Sequence, residues 1–132
     1  MRLRFQLLFT LTLFFLTFQL SAQNASTVLD DFSHGLLKGG YDEIVPLLAS
    51  QVEIGDGAGE STHQATKARS FLANFMDEYP CTSFSLLHTG ESNQMVYAMA
   101  EYRSDKESFE VNLYLRKEKN TYRIERFLLD KL

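Results

Sequence analysis

The sequence predicts one α+β domain, with three N-terminal helices packed on one face of a curved antiparallel sheet. Three observations carry this. Apolar residues before residue 80 recur at helical spacing. Beyond it, four runs are strand-like, and one alternates cleanly between apolar and polar residues. The polar tetrapeptides GESN, SDKE and KEKN separate those runs and are short enough for hairpin turns. A helical stripe needs a broad apolar surface to cover it, and a sheet offers one.

The chain opens MRLRFQLLFTLTLFFLTFQLSAQ. Arg2 and Arg4 precede an apolar run from Phe5 to Leu20, and Ser21 and Ala22 follow it. This is the layout of a secretory signal peptide, with cleavage expected after Ala22 although Leu20 stands where a small residue is preferred. Two glutamines interrupt the run, and it falls short of the ~20 apolar residues a membrane span needs. The expected mature domain is residues 23–132, exported to the periplasm or secreted.

The first helix is expected in QNASTVLDDFSHGLLKGG. Val28, Leu29, Phe32 and Leu36 form its stripe, Ser26 can cap it, Asp30 and Asp31 suit the first turn, and Gly39 and Gly40 end it. YDEIVPLLAS reads as a short second helix, in which Pro46 is tolerable only near the start. QVEI is a short strand and GDGAGE a loop. The third helix follows, with Ser61 and Gln64 at capping-box spacing and a stripe of Ala65, Ala68, Phe71, Leu72, Phe75, Met76 and Tyr79. Pro80 stops it.

The strands are expected at 82–89, 94–103, 108–116 and 121–129. In FEVNLYL, Phe109, Val111, Leu113 and Leu115 alternate with polar residues, so one face is buried. Even-numbered turns place Ala98, Ala100 and Tyr102 beside that set, as the core face. The same arithmetic puts Phe84, Leu86 and His88 with Met95, Tyr97 and Met99 on the outer face. That outer set is too apolar to be left in water. Either a second copy covers it as a two-fold homodimer, or an odd-numbered turn or a bulge flips the register and moves this set inward.

Composition excludes some functions. The chain carries a formal charge of −4, which becomes −6 once a leader holding Arg2 and Arg4 is removed. Nucleic acid and anionic membranes both select clustered Lys and Arg, so neither partner is expected. The one cysteine, Cys81, cannot form an intramolecular disulfide and reads as a buried or half-buried thiol. His34, His63 and His88 have no metal-ligand spacing, so no metal or cofactor is expected. GDGAGE lacks the Lys and Ser/Thr of a phosphate-binding loop, and Asp56 and Glu60 would repel phosphate. Asn24-Ala25-Ser26 is a glycosylation sequon that matters only in a eukaryotic secretory route.

The order of elements, from KGGYDEIVPLLASQVEI and ATKARSFLANFM to FSLLHTG, VYAMAEY, FEVNLYL and YRIERF, resembles the nuclear-transport-factor-2-like (cystatin-like) superfamily. More narrowly it resembles a bacterial exported family of that fold without an established function. The resemblance covers the mature chain. It implies a cone-shaped cavity between helices and sheet and frequent dimerisation, but no reaction. Enzymes of that superfamily place a Tyr on the first helix and Asp or His in the cone. Here Tyr41 falls beyond Gly39-Gly40, His34 is offset from the stripe, and Asp56 sits in a loop. The expectation is therefore a non-catalytic domain binding a small apolar ligand or another exported protein, with Phe71, Phe75 and Tyr102 lining the cone. His88, Tyr97 and Met99 are the functional or interface candidates. The alternatives are an enzyme pairing His88 with Glu101 or Asp56, and a structural or assembly module.

Overall fold

The computed structural model describes residues 24–55 and 59–132; the expected leader, Gln23, and Asp56, Gly57 and Ala58 of the glycine-rich loop lie outside the described residues. Helix α1, Asn24–Lys38, buries the expected stripe of Val28, Leu29, Phe32 and Leu36. It starts two residues before Ser26, so Asp30 and Asp31 fall beyond the first turn. Its end is a Schellman motif: the Gly40 N–H donates to the Gly35 carbonyl at 2.8 Å and the Gly39 N–H to Leu36 at 3.3 Å. Gly39 has φ +68, which L-residues with a Cβ adopt only at a cost. The turn brings α2, Tyr41–Ile44, so close that a Cβ on Gly35 would lie 2.7 Å from Ile44. Pro46 sits in a following 3-10 turn, Val45–Leu47, rather than inside the helix.

Strand β1, Leu48–Gly55, is longer than QVEI. Residues Glu60–Gln64 form strand β2 against it, in register from Gln51–Gln64 to Gly55–Glu60. The expected capping box is thus corrected. Ser61 Oγ bonds His63 Nε2 at 2.8 Å, and helix α3 begins only at Ala65, ending at Glu78. A backbone ladder along β1 satisfies more groups than two side-chain caps would.

Strands β3 (Ser83–Ser92), β4 (Met95–Arg103), β5 (Ser108–Glu118) and β6 (Thr121–Lys131) form the meander. The six-stranded order is β2-β1-β6-β5-β4-β3. One pair departs from the antiparallel expectation: β1 runs parallel to β6. The intervening β2, α3 and meander supply the long crossover that such a pair requires.

Ala98, Ala100 and Tyr102 lie opposite Leu113, Val111 and Phe109, all buried on the helix-facing side. The outer-face expectation needs correction at two residues. A bulge between Leu86 and His88 shifts the β3–β4 register. Phe84 pairs with Tyr102 and Leu86 with Ala100, so both turn inward, whereas His88 pairs with Met99 on the outer face. The bulge lets Phe84 meet Phe32, ring centroids 5.8 Å apart, instead of water.

Candidate functional site

The inward residues of β4 are Val96, Ala98 and Ala100, with the single large side chain, Tyr102, at the far end. Tyr102 marks the end of the concave face that is filled. At the Tyr102 end, Phe75 lies 5.2 Å from the Tyr102 ring and 5.0 Å from Phe109, and Tyr79 lies 5.0 Å from Phe109. The Tyr102 hydroxyl donates to the Tyr79 carbonyl. Burial, with the nearby Cys81 thiol adding to it, pushes the Tyr102 phenol far above its ordinary range. It stays neutral and serves packing.

At the Val96 end a cleft of about 480 Å³ opens between α1 and the β3–β4 hairpin. Helix α1 contributes Ala25, Ser26, Leu29 and Asp30. Strand β3 contributes Leu86, Thr89, Gly90 and Glu91, and β4 contributes Val96. The spacing explains the convergence. Ala25 and Leu29, like Ser26 and Asp30, are four apart and share one side of the helix. Leu86, Thr89 and Glu91 share the inward side of β3 because the bulge at Leu87 separates the first from the others. The cleft therefore has apolar walls, two hydroxyls and two carboxylates.

Phe75 and Tyr102 come together, but in the aromatic cluster rather than at the cleft, and Phe71 stacks beside Phe75 at 6.4 Å. His88, Tyr97 and Met99 come together on the outer face. His88 is exposed, 6.5 Å from the Tyr97 ring, and Tyr97 and Met99 are half-buried. There a row crosses the sheet. Tyr97 donates to Asn112 Oδ1 at 2.6 Å and lies 5.2 Å from Tyr114. Arg126 sits 5.4 Å over the Tyr114 ring and binds Glu53 at 2.8 Å. Glu101 bonds Arg103 at 2.6 Å, and Asp56, the other carboxylate considered for His88, lies outside the described residues. Burial raises the Cys81 thiol to about 11, so it is protonated at neutral pH and a poor nucleophile. Among the described residues no cluster of three or more His, Cys, Asp or Glu could hold a metal ion.

A family model described as a domain of unknown function, DUF4783, matches residues 29–130. The chain belongs to the DUF4783 family. Among solved structures, it resembles a DUF4783 protein from Bacteroides ovatus with TM-score 0.74 and 19% identity, over 77% of this chain and 93% of that one. A DUF4783 protein from Bacteroides uniformis gives TM-score 0.73 and 20% identity, over 78% and 95%. An NTF2-like protein of unknown function from Shewanella baltica gives TM-score 0.66 and 12% identity, over 81% and 90%. A Nostoc punctiforme protein of unknown function is similar at TM-score 0.67 and 11% identity, over 83% and 89%, and is described as cystatin-like. These likenesses bear on fold. No curated protein matches the sequence.

The cleft residues Asp30, Leu86, Glu91 and Val96 escaped the sequence reading. The i, i+4 pairs on α1 were available as a signal, but the bulge that aims Leu86 and Glu91 into the same space was not.

Proposed function

We propose that this DUF4783 domain is a non-catalytic binding module of an exported protein, holding a small molecule with an apolar body in the cleft between α1 and the β3–β4 hairpin. The cleft itself carries the reading: 480 Å³ of space walled by Leu29, Leu86 and Val96, with a few polar groups to fix orientation. The leader layout of residues 1–22 supports export. Protein purified from an exporting host is expected to begin at Gln23 and to show a reproducible small adduct by native mass spectrometry. A Val96→Phe variant, which puts a ring into the cleft, is expected to lose the adduct. Adduct-free protein that also binds no added small molecule at the cleft would sink this reading and favour a docking or assembly role.

The outer face supports a homodimer. Met95, Tyr97 and Met99 remain on it beside Tyr114 and Leu128, and all five are half-buried in one chain. Aromatic residues, Met and Arg are the types enriched where proteins meet. Met99→Glu should give soluble monomer, whereas an unchanged dimer mass in that variant would remove this face from the interface.

A further inference from the structure

We infer that the ligand of the cleft is a small organic cation with an apolar tail, such as an alkyl-ammonium compound. This rests on the binding role proposed for the cleft and adds the charge of its occupant. The charged side chains on the cleft wall are Asp30 and Glu91, and both are carboxylates. They come from different elements, so the negative charge stands on both sides of the opening. Among the described residues neither has a salt-bridge partner, whereas Glu43, Glu53, Asp42, Glu101, Glu107 and Glu125 each have one.

One feature opposes a cation: Ala25 and Ser26 belong to the first turn of α1, whose unpaired N–H groups favour anions. The helix terminus is equivalent to roughly half a positive charge, against two formal negative charges on the carboxylates. The carboxylates win. The remaining wall is apolar at Leu29, Leu86 and Val96, which suits a hydrocarbon tail, and Ser26 and Thr89 can accept hydrogen bonds from an ammonium.

The test uses three probes with the same eight-carbon tail: n-octylammonium, n-octanol and octanoate, each titrated into the protein and followed by backbone NMR shifts. Octylammonium is expected to move Leu29, Leu86 and Val96 and to bind at least about tenfold more tightly than octanoate. The double variant Asp30→Asn, Glu91→Gln should lose that preference, and the charge-conserving variant Asp30→Glu, Glu91→Asp should keep it. Both positions are exposed, so both variants should fold. High salt, which shortens the screening length to about 3 Å near 1 M, should shrink the preference. If all three probes bind the cleft equally, the cation is wrong and the binding role stands. If none perturbs the cleft residues, the binding role fails and the cation with it.

Discussion

The two ends of the concave face are built from the same strands and differ in side-chain size. Across the first row, Phe84, Tyr102 and Phe109 pair on adjacent strands and Phe75 and Tyr79 close over them. Across the last row, Glu91, Val96 and Leu115 pair, and α1 faces the hairpin across the cleft. Large aromatic side chains exclude ligand space by filling it. Small or charged ones leave it. Side-chain size on the inner face and the bulge in β3 together set where this face opens.

The sharpest way to break that contrast is to empty the packed end. Tyr102 has no solvent exposure and anchors the cluster through its hydroxyl. Tyr102→Ala should cost about 3–5 kcal/mol, the range for losing a buried aromatic. Urea unfolding midpoints would read it, with Leu86→Ala at the open end as the comparison. Leu86 is 44% exposed and should cost about 1 kcal/mol or less. Equal losses at the two sites would mean that the cleft is as well packed as the cluster.

The reverse change should be graded in the same way. Ala100 is fully buried between the two ends, and Ala100→Leu should overpack it by about 1–3 kcal/mol. Val96→Phe also enlarges a buried side chain but borders the cleft, so its ring has somewhere to go and the cost should stay under about 1 kcal/mol. Thermal midpoints that rank Val96→Phe as the worse variant would show that the cleft is shallower than its volume implies.

Most of this architecture was legible because it rests on periodicity. The α1 stripe, the alternation of β5 and the pairing of Ala98 with Leu113 all follow from spacing. Two features were not. The ladder that makes residues 60–64 a strand depends on β1, whose partners lie far along the chain, while the local pattern of Ser61 and Gln64 reads as a helix start. The bulge at Leu87 is one extra residue in an apolar run, and its position reflects the tertiary contact of Phe84 with Phe32. Since side chains alternate every residue, that single insertion reversed Phe84 and Leu86 and, with them, the cleft.

On the outer face the comparison predicts a smaller effect. The Tyr97 hydroxyl bonds Asn112 in a half-buried setting. Tyr97→Phe should cost about 1 kcal/mol, because the orphaned amide can still reach water. A loss as large as that of Tyr102→Ala would show that this row is a second core rather than a solvent-facing support.

The packed end should also announce itself at alkaline pH, through a change in slope rather than a large loss. Burial favours the neutral form of a thiol or phenol, so the folded pKa lies above the unfolded one. The stability this contributes is intact below the unfolded value and is lost as pH climbs from there toward the folded value. For Cys81 the window runs from 9.0 to about 11, and for Tyr102 it opens at 10.0. Thermal midpoints across this range should fall for the unaltered protein. Cys81→Ala should flatten the first part of the fall, and Tyr102→Phe the part above pH 10. Since Cys81 is only half-buried, its share should be the smaller. If both variants keep the unaltered slope, general charge repulsion drives the alkaline loss, and the packed end is wetter than its ring contacts indicate.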